Sequence, residues 1–187
     1  MRVLFVQDNA LDESQALIEL GAYLTGLGHQ CDLLLDRVDR SLEASAAALN
    51  PDLIVVACSM LNHWWGRDVG ARLKSSLPHV PVVVGGTAPT VYPELLSTAA
   101  FDAILRGEAE TPLTAILEHL ESGAAFDTLP PTPGVNYWEH GVLTGTQPAP
   151  GLDMTDFPLA TKDIYYDRYP FMRQFPFKRF LTSRGCH

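Results

Sequence analysis

The chain has 187 residues, 47% of them hydrophobic, with a net charge of −9 and three cysteines. That length suits one α/β domain with an appendage, and the apolar content argues against disorder. The acid excess, without a basic stripe, speaks against a nucleic-acid partner, no apolar run is long enough to span a bilayer, and Cys31, Cys58 and Cys186 are too scattered for a disulfide framework or an internal zinc pattern. The opening Met1-Arg2-Val3-Leu4-Phe5-Val6-Gln7-Asp8 turns polar too soon for a signal peptide, so the default expectation is a cytoplasmic location.

Val3–Val6 reads as a first buried strand, followed by the polar loop Gln7-Asp8-Asn9. Leu17, Leu20, Leu24 and Leu27 recur at helical spacing, with Gly28 where a helix-ending glycine belongs. Residues 30–35 predict a second strand, and Ser41 a cap for a helix to about Leu49. Pro51-Asp52 opens a third strand, Leu53–Cys58, closed by Ser59-Met60-Leu61. A helix through Val69, Leu73 and Leu77 leads to Pro81-Val82-Val83-Val84, a strand that runs into Gly85-Gly86 and then a short polar loop. A short helix near Tyr92–Ser97, a fifth strand Ala103–Leu105 and a last helix from Thr111 to Leu120 follow. Pro112 fits the first turn of that helix.

Strands alternating with helices predict a doubly wound, five-stranded parallel α/β sheet, flavodoxin- or Rossmann-like, in the order 2-1-3-4-5. The loops after Gln7, Ser59, Gly85 and Arg106 then share one rim, where ligands of open α/β sheets collect. Adjacent glycines remove two Cβ atoms, which admits a ligand or another backbone. Ser59 beside them either places a hydroxyl on the wall of a slot or satisfies a strand-end backbone group. Beyond Leu129, prolines 130, 131 and 133 form a stiff linker, a β-hairpin is expected around Glu139-His140-Gly141, and an aromatic, proline-rich run starts at Leu152. That run cannot form a core alone, so it is expected to wrap over something.

Ser59-Met60-Leu61 and Gly85-Gly86, in this order, resemble the second and third elements of the Asp-x-His-x-x-Gly, Ser-x-Leu, Gly-Gly set common in cobalamin-binding domains. Gly107-Glu108-Ala109-Glu110 resembles the Gly-Glu-x-Glu turn of the branch at the front of B12-dependent radical S-adenosylmethionine (SAM) enzymes. The hairpin at 134–144 and Leu152-Asp153-Met154-Thr155-Asp156-Phe157-Pro158 resemble that branch's connector. Leu181-Thr182-Ser183-Arg184-Gly185-Cys186 resembles the start of its Cys-x-x-x-Cys-x-x-Cys loop.

The resemblance implies a bound cobalamin, and the chain departs from the pattern twice. Asp8-Asn9-Ala10-Leu11-Asp12-Glu13 occupies the histidine loop, with Ala10 in the His position and Glu13 in the Gly position. Alanine cannot ligate cobalt, so the resemblance implies a base-off, His-off cobalamin whose tail threads beside Ser59, Gly85 and Gly86. The chain also stops one residue after Cys186, which supplies one of the thiolates a 4Fe-4S cluster needs. The expected domains are therefore residues 1–126 for cobalamin, 127–180 as hairpin and connector, and 181–187 as the start of a radical SAM domain.

The candidate cofactor residues are Asp8, Asn9, Ala10, Ser59, Met60, Leu61, His63, Trp64, Gly85, Gly86, Thr87, Thr90, Gly107, Glu108 and Glu110. His63 is a candidate cobalt ligand and Trp64 a flat cover for a corrin, or Trp64 and Trp65 begin a helix and bury against the sheet. Thr87 and Thr90 either donate to the cofactor or cap a turn. Glu108 and Glu110 either bind hydroxyls of the nucleotide tail or place charge in a helix's first turn. Cys186 is a cluster ligand only with its partner thiolates. No catalytic residue is expected in these 187 residues; the parent enzyme would add a 4Fe-4S cluster and SAM, and perform methyl transfer or cyclisation. The rival readings are a cofactor-free regulatory or interaction domain and the nucleotide-binding half of a sugar transferase, neither of which would hold a corrin.

Overall fold

The short apolar runs fold into parallel strands β1 (Arg2–Gln7), β2 (Gln30–Leu35), β3 (Leu53–Ala57), β4 (Val82–Gly85) and β5 (Ala103–Leu105). The structure, a computed structural model, describes residues 1–11, 13–96, 100–153, 155 and 157–181. The strands stand in the order β2-β1-β3-β4-β5, as the strand–helix alternation predicts. Helices α1 (Gln15–Gly26), α2 (Leu42–Leu49), α3 (His63–Ser76), α4 (Thr87–Val91) and α5 (Glu110–Glu121) connect and cover them.

Side chains along a strand alternate between faces, so the continuous apolar runs fill two cores at once. Val3, Phe5, Leu33, Leu35, Leu53, Val55 and Val83 pack with α1 and α5. Leu4, Val6, Leu34, Ile54, Val56, Val82 and Val84 pack with α2, α3 and α4.

Local signals set most boundaries. Ser14 caps α1 by accepting from the Leu17 N–H at 3.4 Å, and Gly28, at φ +92°, follows its end. Ser41 precedes α2 as expected but makes no capping bond. Two expectations need correction. The stretch after Gly86 is the short helix α4, not a polar loop. The helix expected near Tyr92–Ser97 is a 3-10 turn, Pro93–Leu96, and Ser97 lies outside the described residues. Pro93 explains the break: its ring disfavours helical geometry at Tyr92, which sits at φ −132°, ψ 66°.

The hairpin joins the sheet. β6 (Val135–Glu139) pairs antiparallel with β5, and β7 (Val142–Gly145) with β6, giving seven strands among the described residues. His140 and Gly141 turn the hairpin with φ of 50° and 80°, the left-handed pair that a two-residue turn requires.

The aromatic segment completes a core that the helices leave open. Helix α6 (Asp163–Tyr166) and the turn Pro170–Gln174 lie on the α1 side of the sheet near β2, where Tyr165, Tyr169 and Met172 are buried. Polar contacts tie this strap to the strand ends. The Tyr165 hydroxyl donates to Gln7 Oε1 and accepts from the Ser14 N–H at 2.9 Å. The Tyr169 hydroxyl donates to Asp39 and accepts from the Leu35 N–H at 2.9 Å.

Buried Glu13 accepts from Lys162 at 2.6 Å, Tyr166 at 2.7 Å and Lys178 at 3.1 Å. Burial pushes the Glu13 carboxyl up, but these three donors hold it below the usual carboxylate range. Its contribution to stability is therefore complete above the unfolded-state value and is lost as pH falls through the lower folded value. The charged and titratable groups at this clasp are Lys162, Lys178 and Tyr166, with Arg173 over the Tyr166 ring. Limited proteolysis across an acid series should show the strap loosening in wild type. In Glu13→Gln the strap should be cleaved faster at neutral pH, with a smaller further change in acid. Identical profiles for the two proteins would contradict this.

Candidate functional site

All five parallel strands end on one side, which brings the loops after β1, β3, β4 and β5 to a common rim. At its centre β3 and β4 end in register, Ala57 against Gly85. The Cys58 N–H donates to Gly85 O at 2.8 Å, and the Ala88 N–H to Cys58 O at 3.3 Å.

The two glycines do different work. A Cβ on Gly86 would lie 2.4 Å from Cys58 O, and its φ of +118° with ψ −163° belongs to glycine. Its bareness admits the chain's own backbone, the second of the two alternatives that adjacent glycines offer. A Cβ on Gly85 would meet only Leu105 atoms, at 3.7 and 3.9 Å, among the described residues. By strand alternation Gly85 and Ala57 face α1 and α5, one step beyond Val83 and Val55 on the same face. The two central strands thus finish in the smallest side chains available. Half-buried Ala10 and Ala109, just ahead of α1 and α5, pack against the same core. This is a floor of small apolar residues, and Ala57 was not among the residues expected from sequence.

The loop after β3 is organised by Asn62. Its Oδ1 accepts from the Ser59 N–H at 2.7 Å and from the Ser59 hydroxyl at 3.0 Å. The Ser59 hydroxyl thus gives its proton to Asn62 and keeps its lone pairs as acceptors. Met60 is half-buried against the α2–α3 core. Leu61 is 97% exposed and Trp64 69% exposed, whereas Trp65 turns inward and donates to Asp36 at 2.8 Å. Of the two alternatives for this pair, burial of both tryptophans against the sheet does not hold for Trp64. Nδ1 of half-buried His63 donates to Met60 O at 3.0 Å, and its ring lies 4.9 Å from that of Trp64. Leu11 on the β1 loop is also exposed, so apolar side chains reach solvent on the loops after both β1 and β3.

Other expected residues are partly committed within the protein. Thr87 is exposed. The Thr90 hydroxyl donates to Gly86 O at 2.8 Å and accepts from the Gly107 N–H at 3.0 Å, the turn-capping alternative. Gly107 is covered by the connector, since a Cβ there would lie 2.2 Å from Ala149 O. Glu108 is half-buried, and Glu110 is buried at the start of α5. Asp8 is buried and ion-paired with Arg37, and Asn9 Oδ1 accepts from the Leu11 N–H at 2.8 Å. Arg106, just after β5, was not among the candidate residues. Its Nη2 donates to Thr90 O at 3.4 Å, and its buried Nε has no hydrogen-bond partner among the described residues.

Burial pushes the Cys58 thiol up to about 12 and the Cys31 thiol up to about 11, so neither is poised as a nucleophile or a ready metal ligand. Among the described residues no cluster of three or more His, Cys, Asp or Glu could hold a metal ion, and no helix is long and apolar enough to cross a membrane. Cys186, the expected cluster ligand, lies outside the described residues.

The fold is shared with solved enzymes. The chain is similar to the cobalamin-dependent S-adenosylmethionine radical enzyme OxsB with aqua-cobalamin bound, at a TM-score of 0.73 and 16% identity, over 91% of this chain and 25% of that one. It is also similar to the apo, selenomethionine-labelled form of that enzyme, at 0.68 and 16%, over 87% of this chain and 24% of that one. The chain spans about a quarter of the length of these structures. No curated protein matches it. The model of the B12 binding domain matches residues 15–117, more than half of the sequence, and the chain belongs to that family.

Proposed function

We propose that this chain binds cobalamin across the strand-end rim, as the front domain of a B12-dependent radical SAM enzyme. Residues 1–126 would hold the cofactor, 127–180 would form the hairpin and connector, and 181–187 would begin the cluster-binding domain. The observation that carries this reading is the Ala57–Gly85 floor on the α1–α5 face. A flat benzimidazole needs an apolar slot, and a larger side chain at either position would grow into the space over that floor. The exposed apolar surface of Leu11, Leu61 and Trp64 suits the broad face of a corrin better than water.

In this arrangement Ala57, Gly85 and the Ser59 oxygen line the tail slot, with Gly86 and Gly107 holding the backbone beside it. Glu108 and Glu110, near the start of α5, would take the tail's hydroxyls. Met60, Leu61, Trp64 and Thr87 would face the corrin, Thr90 would brace the β4 and β5 loops, and Asp8, Asn9 and Ala10 would lie toward its lower face. Bound cobalamin supplies a cobalt centre able to carry a methyl group, and the protein's share is placement and electronic tuning. The parent's methyl transfer or cyclisation would also need SAM and a 4Fe-4S cluster, with Cys186 as one of the cluster's ligands.

Ala10 leads us to expect base-off, His-off binding. Electron paramagnetic resonance of the chain loaded with cob(II)alamin should then show no nitrogen splitting from an axial ligand. A second reading has its own support: with Nδ1 of His63 bonded to Met60 O, Nε2 keeps its lone pair, the usual arrangement of ligating histidines. Nitrogen splitting that vanishes in His63→Ala would select that second reading. Splitting that persists in His63→Ala would come from some other nitrogen ligand and would overturn both readings.

A further inference from the structure

We propose, on the strength of the cobalamin reading above, that Glu13 and Tyr165 are positioning residues that couple docking of the C-terminal strap to the cofactor-facing loop after β1. The strap holds both ends of that loop. At its start, Tyr165 donates to Gln7, whose Nε2 donates to Asn9 O at 2.7 Å. At its end, Tyr165 accepts from the Ser14 N–H at 2.9 Å, one residue after Glu13 receives Lys162, Tyr166 and Lys178. Tyr165 is fully buried and Glu13 is 5% exposed, so these contacts are shielded from competing water.

The two departures of this loop from the resembled motif thus have one physical consequence. The position of the ligating histidine is filled by Ala10. The position of the glycine is filled by a carboxylate that reaches residues 149 to 165 places along the chain. A loop without a cobalt bond lacks the restraint that such a bond would provide, and the strap provides one in its place. Strap and cofactor each favour the same loop conformation, so each must raise the other's affinity by the same factor. The strap has a separate hold on β2, through Tyr169 on Asp39 and Leu35 and through Arg168 on Asp39 at 3.2 Å. Untying Glu13 therefore frees the loop without casting off the whole strap.

Hydrogen exchange of the full chain with and without hydroxocobalamin, together with absorbance titrations, tests this. Cobalamin should protect strap amides in 160–175 as well as the rim. Glu13→Gln should weaken cobalamin affinity about tenfold, a typical coupling between linked sites, and abolish that strap protection. Tyr165→Phe should act in the same direction. Tyr166→Phe, which removes a single donor and serves should Glu13→Gln fold poorly, should lose a smaller factor. Lys74→Ala, which breaks the Lys74–Asp102 pair ahead of β5, should bind like wild type. A wild-type chain that binds cobalamin without strap protection, with Glu13→Gln binding equally well, overturns the coupling and leaves the cobalamin reading standing. A wild-type chain that retains no cobalamin overturns both.

Discussion

Gly86→Ala is expected to cost about 3 kcal/mol or more of stability, by stacking backbone strain on a clash that cannot relax locally. The new Cβ would sit 2.4 Å from Cys58 O and 3.2 Å from Cys58 C, atoms of a neighbouring strand end and not a flexible side chain. Cys58 cannot yield cheaply. Its N–H is bonded to Gly85 O and its carbonyl to the Ala88 N–H, so relief means parting β3 from β4 where α4 begins. The φ of +118° adds a second penalty, because that region is essentially closed to residues with a side chain. Gly85→Ala, one residue earlier, meets only ordinary contacts with Leu105 and should stay within about 1 kcal/mol of wild type. Urea titrations of the two variants decide the matter; equal midpoints would mean that Gly86 does not hold the strand ends together.

Gly85→Leu should have the largest functional effect. Its side chain would enter the space above Ala57 on the α1–α5 face, with an overpacking cost of about 1–3 kcal/mol that a domain of this size can absorb. The same atoms would occupy the volume assigned to the nucleotide tail, and cobalamin affinity should fall by about a hundredfold or more, equivalent to about 2.8 kcal/mol. Circular dichroism and urea titration should report a folded protein while absorbance titration reports the lost corrin. Wild-type affinity in a folded Gly85→Leu protein would place the tail elsewhere.

The strands were legible because short apolar runs bounded by proline, glycine or aspartate carry their own boundaries, and β3 begins at the expected Leu53, after Pro51-Asp52. What sequence could not supply were pairings between distant segments. Nothing local in Val135–Glu139 says that it will zip onto β5, so the sheet was expected to end there. The composition after Leu152 did say that those aromatics need a core to cover, but only the fold shows that they close the α1 face beside β2. At the site, Gly85-Gly86 announced a close backbone approach. Which glycine takes that approach depends on strand alternation and on where Cys58 lies. Ala57 carries no signal in the sequence, because an alanine at a strand end has no chemistry of its own and only the register places it beside Gly85. Ser59 was legible as a strand-end hydroxyl, and its turn toward Asn62 was not.

The measurement that bears most directly on the account is the visible spectrum of the purified chain after mixing with excess hydroxocobalamin and desalting, with Gly85→Leu run alongside. The account predicts that wild type keeps close to one corrin per chain, with an absorption shifted to that of the base-off form, and that the folded variant emerges colourless. A wild-type chain that emerges colourless, or a Gly85→Leu chain that keeps as much corrin as wild type, would contradict it.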